Sequence, residues 1–484
     1  MIGRARILSI VLLSLLMACN SHEPTEETVP AALIEQEMAV SVPMEPKPPH
    51  YQHKLTYEST KNILIGETTI QAWNRTSIPT DELNIQLFLS AFEPSQKQPP
   101  VLPKSFSRAY PHGVQYGRMD IQEVQVDGFP VSFHRDGAIL KVELQQPWSA
   151  NTPREIQLQW TGQLPGIHHR LGSEKEAAWF GNVLPILSVY DGEWRVNQYE
   201  AVGDPFFSEA GSYEVEVTVP DSYHVVMTGE EEASNEQGSS KTVSKVDRAR
   251  EFVFAITPNH QQESIRTSSG KDIHLYHRTL SKQTVSKVLQ EAKGMLDYME
   301  SRVGTYPYQQ LDIFENEMFI TGMEYPGLVF VRSDRLQDPK GIETVVHEIA
   351  HQWFYNIVGN DPLNEPWLDE GFATYFADEY LQGAKLPSYY AEEKRYLDRH
   401  FPQTKIQPIH HYPDWASYWR GNYRKSSLMI FALQQELGEE AFSRFLKEYV
   451  QEFEYQIVTK DEFVAFVKGY AEKDMDSFFQ DWFK

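Results

Sequence analysis

Two histidines and two glutamates constrain this chain more than any other feature. Residues 343–354 read ETVVHEIAHQWF. On a helix, His347 and His351 are one turn apart and project from the same face, so both imidazoles can reach one metal ion, with Glu348 beside them. A catalytic zinc takes three protein ligands and keeps one position open for water. The third ligand has to come from another element. The segment WLDEGFATYFADEY supplies it, because Glu370 follows His351 after 18 intervening residues on a helix of its own. Between them, NIVGNDPLNEP carries Gly359, Pro362 and Pro366, residues suited to reversing the chain. The spacing predicts one zinc ion held by His347, His351 and Glu370. Glu348, next in sequence to a ligand, is placed to act as general base.

The hydrophobic period changes once along the chain. From residue 51 to about 258 it is mostly two. In GETTIQAW, Thr68, Ile70 and Ala72 alternate with polar neighbours, and SYEVEVTVP puts Tyr213, Val215, Val217 and Val219 on one face. Asp127-Gly128 and Asp136-Gly137 are hairpin signals. From about 280 the period becomes 3.6. In KQTVSKVLQEAKGMLDYMESRVG the residues Val285, Val288, Leu289, Ala292, Met295, Leu296, Met299 and Val303 form one apolar stripe. Further helices are expected at 342–355, 368–382, 424–436, 438–451 and 460–470, the last with a capping box between Thr459 and Glu462. The pattern predicts an α+β multidomain chain, with an antiparallel β domain over 51–258 and a mainly helical domain over 259–484.

The first residues read differently. In MIGRARILSIVLLSLLMAC, Arg4 and Arg6 precede an apolar run from Ile7 to Met17, too short to span a membrane with ease but suited to a signal peptide. Leu16-Met17-Ala18-Cys19 resembles the bacterial lipobox, in which cleavage before the cysteine exposes it for lipidation. Residues 1–18 are then a signal. Residues 19–50, rich in Pro and Glu, form a tether, and Cys19 anchors the protein on the extracytoplasmic face of the cell membrane. Cys19 is the chain's one cysteine, which excludes an intramolecular disulfide and a Cys-rich zinc site. The formal charge of -24 makes nucleic acid an unsuitable partner.

The zinc residues also carry a family resemblance. HEIAHQW, then 18 residues, then Glu370 in WLDEGFATYF resembles the zinc aminopeptidases of the aminopeptidase N family, within the gluzincins. The resemblance implies a saddle-like β domain before a thermolysin-like catalytic domain, and peptide substrates with a free N-terminus. ITGMEYPGLVFV resembles the family's G-x-M-E-N segment. Gly322, Met323 and Glu324 are thereby implied in substrate binding, with Thr321 in place of the Gly and Tyr325 in place of the Asn. NYRKSSLMIF resembles the Y-x-K-G segment, which implies Tyr423 as the hydrogen-bond donor to the oxyanion. Ser426 replaces the Gly, and Tyr418 is a nearby rival. NQYEAVGDPFF resembles Q-x-E-A-x-G, which implies Gln198 and Glu200 at the substrate amine.

Other readings stay open at this stage. A thermolysin-like endopeptidase uses the same zinc and base, and a non-catalytic peptide-binding lipoprotein can retain the fold. The strand expected at Leu328–Val331 is a candidate edge for pairing with an extended peptide. The doublets His168-His169 and His410-His411 have no accompanying carboxylate pattern and read as surface or loop residues. Oligomeric state is not legible in the sequence.

Overall fold

Alternation governs the first half of the chain. In Gly211–Pro220 every second residue is buried, so Tyr213, Val215, Val217 and Val219 face the core as expected. The computed structural model describes residues 47–96, 100–236 and 238–484; the expected signal segment, Cys19 and the tether up to residue 46 lie outside the described residues. The largest sheet has eight strands, in the spatial order 231–236, 239–249, 211–220, 50–58, 63–73, 153–163, 118–126 and 129–130. Its pairs are antiparallel except one, since His50–Glu58 runs parallel to Gly211–Pro220. Two four-stranded sheets accompany it. At the first predicted hairpin, Asp127 and Gly128 both take positive φ, 52° and 79°, the combination that a two-residue turn matching strand twist requires.

The second half begins with a five-stranded sheet, ordered 261–266, 272–277, 310–316, 328–332 and 322–323. The expectation for residues 328–331 is corrected here. Leu328–Arg332 is a strand, but it lies inside the sheet, between Gln310–Asn316 and Gly322–Met323. The chain turns back after Gly322–Met323, and that short strand is the edge. Helix Lys282–Arg302 crosses between two parallel strands and starts on Ser281, whose side chain accepts from the Thr284 N–H. Its buried stripe runs from Val285 to Met299, and each Val, Leu and Met in it contributes ~1.5–3 kcal/mol on burial.

The zinc-motif helix spans Ile342–Ala350, shorter than the expected 342–355. Its end tightens: the Gln352 and Trp353 amides bond back three residues, to Ile349 and Ala350, and Tyr355 has a φ of 136° that no helix accepts. His351 keeps helical angles, φ -63° and ψ -15°, and so stays on the face of His347. Helix Trp367–Gln382 is buried at every residue from Trp367 to Asp378, which makes it the central rod of this half. It crosses helix Ser426–Leu437 closely, because a Cβ on Gly371 would stand 2.7 Å from that of Ser426. Ser426 is thus accommodated by a glycine on the opposite helix. The Thr459–Glu462 capping box is formed.

The described residues fall within one compact unit. Tyr276, Phe314, Tyr325 and Phe330 of the second half join the apolar core of the β sheets. Arg250, fully buried, donates to the carbonyls of Tyr355, Ser208 and Gln456 and so ties the last β segments to the loop beyond the zinc motif.

Candidate active site

The helix carrying His347 and the rod carrying Glu370 pack side by side, and three donor atoms converge between them. His347 Nε2 lies 3.2 Å and His351 Nε2 3.3 Å from Glu370 Oε2, and the two Nε2 atoms are 3.1 Å apart. Ligands of one tetrahedral zinc at about 2.0–2.1 Å stand about 3.3 Å from one another, so this donor set fits that ion. His351 Nδ1 donates to the Phe354 carbonyl at 2.9 Å, which leaves the Nε2 lone pair directed at the cluster. The rings of His347 and His351 stand edge to face.

These residues floor a cavity of about 520 Å³ that is also lined by Gly322, Glu324, Glu348, Tyr418 and Tyr423. Gly322 sits directly against the base: a Cβ there would meet Glu348 Oε1 at 2.1 Å. Tyr423 lies on a π-helical segment, Trp419–Lys425, that leads into helix Ser426–Leu437. A π turn shifts the side chains that follow it relative to the regular helix, and such turns are frequent at functional sites. The Tyr423 ring stacks on His347 at 5.4 Å and 14°, whereas Tyr418 packs edge-on against Tyr423. Burial, then the Glu370 charge, holds the Tyr423 phenol well above its ordinary pKa, so its proton is retained for donation.

Glu324 is fixed from behind by Gln352, the residue after His351. The Gln352 amide donates to the Glu324 and Tyr325 carbonyls at 3.2 and 3.1 Å, and its oxygen accepts the Gly327 N–H at 2.9 Å. Tyr325 is wholly buried and donates to Asn182 Oδ1 across to the β half. Glu324 is 5% exposed, and burial together with the charge of Asp204 pushes it well above the carboxylate range. Burial likewise pushes Glu348 up to about 8. At His351, burial opposes the proton, but the carboxylates of Glu324, Glu370 and Glu348 outweigh it. The acidic end of the cavity therefore favours cations.

Two expected residues stand apart. Gln198 spends its amide on the Asp136–Ala138 hairpin, donating to the Asp136 carbonyl at 2.9 Å and accepting from the Ala138 N–H at 3.0 Å, and it does not line the cavity. Glu200 does not line it either; it is partly buried, and that burial raises its carboxyl above the ordinary value. Asp204, a few residues on, lines the cavity instead and pairs with the buried Arg170. Neither has a signal of its own in the sequence. The reading of His168 as a residue without a carboxylate partner is also corrected, since it bonds Glu174 at 3.0 Å.

Comparison with known proteins agrees with this geometry. Residues 288–482 match the model described as Peptidase family M1 domain. Leukotriene A-4 hydrolase of Xenopus laevis is 32% identical over 202 residues, covering 38% of this chain and 33% of that protein. Glutamyl aminopeptidase of Homo sapiens is 26% identical over 298 residues, covering 54% and 30%. The chain thus spans a third or less of the length of these relatives. Among solved structures, an M1 zinc metallopeptidase from Deinococcus radiodurans superposes with a TM-score of 0.66 at 17% identity, covering 92% of this chain and 96% of that one. A mutant of that enzyme bound to a Tyr-Ser-Ala substrate gives 0.64 at 16% identity, covering 91% and 94%. This likeness is one of fold, a β domain followed by a helical domain. Family model, fold and ligand geometry converge, and the chain carries a peptidase family M1 domain over residues 288–482.

Proposed function

We propose that this chain is a zinc-dependent aminopeptidase that removes residues from the free N-terminus of peptides. One observation carries the reading: buried Glu324 and Asp204 line the same cavity as the His347, His351 and Glu370 cluster and the base Glu348. A zinc ion held by those three ligands supplies Lewis acidity and makes water acidic near neutral pH. The carboxylate of Glu348 takes the proton of the attacking water and later delivers it to the leaving amine. The Tyr423 hydroxyl donates to the oxyanion that develops on the scissile carbonyl. Glu324 and Asp204 accept the substrate ammonium, which fixes the first peptide bond, and no later one, against Glu348. The edge strand Gly322–Met323 offers its outward backbone groups to the extended peptide.

The relatives and the peptide complex of the Deinococcus enzyme support this reading. Its test is hydrolysis of aminoacyl fluorogenic substrates and their N-acetylated counterparts, with a chelator control. Wild type should prefer the free amine strongly, and Glu324→Ala should lose most of that preference. Equal preference in the two proteins, or good cleavage of N-acetylated peptides by wild type, would point to an endopeptidase instead.

The enzyme is further proposed to be lipid-anchored through Cys19 on the extracytoplasmic face, a reading supported by the basic, apolar and lipobox-like order of residues 1–19. Among the described residues no helix is long and apolar enough to cross a membrane. Cys19→Ala should release the mature chain into the soluble fraction, and an unchanged membrane fraction would refute the anchor.

A further inference from the structure

Away from the catalytic cavity, the β half brings together a second set of two imidazoles and one carboxylate. His112 Nε2 lies 3.1 Å and His168 Nε2 3.0 Å from the same oxygen, Glu174 Oε2. The three donor atoms all lie within 4.8 Å of one another. The two rings stand edge to face at 81°, as those of His347 and His351 do at 85°. Both arrangements therefore direct two Nε2 atoms onto one carboxylate oxygen at about the ligand-to-ligand separation of a tetrahedral site. The cluster belongs to a separate pocket of about 440 Å³, also lined by Asn62, Gln115 and Ser173.

We propose that His112, His168 and Glu174 form a second metal site that takes a divalent transition-metal ion of the zinc type. Two imidazoles and one carboxylate are a borderline-soft donor set, which suits zinc, cobalt or copper better than calcium or magnesium. A simple ion pair with Glu174 would need only one of the two histidines. The ligands come from two distant segments: His112 follows the helical turn Phe106–Ala109, whereas His168 precedes strand Leu171–Glu174 and Glu174 ends it. Bound metal therefore staples these segments together. The same segments reach the catalytic cavity. The His168 N–H donates to the Ala109 carbonyl, Arg108 donates to the Phe319 carbonyl, and Arg108, Phe319 and Arg170 line the cavity wall. The His112 side chain is 67% exposed, so water completes the coordination, and the site binds more weakly than the catalytic one.

The test is a count of added metal. Purified holoenzyme is dialysed against rising free Zn²⁺, and protein-bound zinc is measured in wild type, His112→Ala and Glu174→Gln. The increment above the starting content is read, so the result does not depend on the catalytic site. Wild type should take up one further equivalent, and each variant should need at least tenfold more free zinc to do so. Because His112 is exposed, its variant should keep the wild-type Tm without added metal. Added zinc should raise the Tm of wild type more than that of His112→Ala. No further equivalent in wild type, or the same uptake curve in wild type and both variants, would overturn the proposal.

Discussion

Gly322→Ala should disable the site while sparing the fold. Gly322 lies on the two-residue edge strand, and the three atoms nearest to an added Cβ all belong to Glu348: Oε1 at 2.1 Å, Cδ at 2.7 Å and Cγ at 2.8 Å. Ordinary van der Waals contact begins at 3.4 Å, so the gap between 2.1 and 3.4 Å forces a displacement of about 1.3 Å. The end of a side chain yields more easily than packed backbone, so the base carboxylate moves. Misplacing a reacting group by about 1 Å costs about 100-fold in rate, equivalent to about 2.7 kcal/mol of transition-state stabilisation. Should the edge strand shift instead, Glu324, two residues on, leaves its position and KM rises. Either route lowers kcat/KM by about two orders of magnitude. The assay is steady-state hydrolysis of an aminoacyl fluorogenic substrate, beside bound-zinc content and Tm, both expected near wild type. A kcat/KM within threefold of wild type would refute the packing of Gly322 against the base.

Tyr423→Phe keeps the ring stacked on His347 and removes only the hydroxyl, so kcat should fall about 10²–10³-fold with zinc content unchanged and KM within a few-fold. Glu251 gives a stability test by pH. Burial pushes its carboxyl up to about 7, although the Tyr355 hydroxyl donates to it at 2.5 Å. An acid with a raised folded pKa binds more protons in the native than in the unfolded state, so stability is lost as pH rises from the ordinary value of 4.5 through 7. The loss amounts to about 3 kcal/mol at 1.36 kcal/mol per unit. Glu251→Gln should remove that slope, measured as urea midpoints at about pH 5 and pH 8 for variant and wild type.

The parts of the site legible in the sequence are those set by local geometry. One helical turn fixes His347 beside His351, and the capping box at Thr459 rests on three residues of spacing. Glu370 is legible through its 18-residue separation from His351 and its place on a helix of its own. The residues that escaped depend on the path of the backbone in space. Asp204, not Glu200, reaches the cavity because of how the chain runs after Tyr199, where Arg170 from a distant segment draws it in. Gln198 is captured by a hairpin turn about sixty residues earlier in the chain. The edge of the five-stranded sheet is not legible in the sequence, because Gly322–Met323 folds back antiparallel to the strand that follows it. His168 found its carboxylate only six residues away, but the extended segment between them gives no helical spacing by which to read the pair.

The acidic end of the cavity also explains why metal and substrate ammonium belong together. Asp204, Glu324, Glu348 and Glu370 are all buried and lie among the groups that line the cavity, and Arg170 is the guanidinium paired with Asp204. Fully ionised, the four carboxylates would exceed that guanidinium by three negative charges, and burial already pushes Asp204, Glu324 and Glu348 toward their protonated forms. A divalent ion cancels two of them, and an N-terminal ammonium cancels the third. An N-acetylated peptide brings no charge and leaves one buried carboxylate to take up a proton or remain unpaired. The selectivity proposed for this enzyme then follows from charge neutrality across the whole cluster, with Glu324 and Asp204 as the proposed acceptors. Arg170 takes part as much as the acids do. Replacing it with a neutral side chain would leave four carboxylates for the same two cations, and proton uptake by Asp204 or Glu324 would compete with the substrate ammonium. Arg170→Met should therefore raise KM for free-amine substrates more than it lowers kcat. The effect should be strongest at low pH, where the proton competes best, and a pH-independent KM would refute this account.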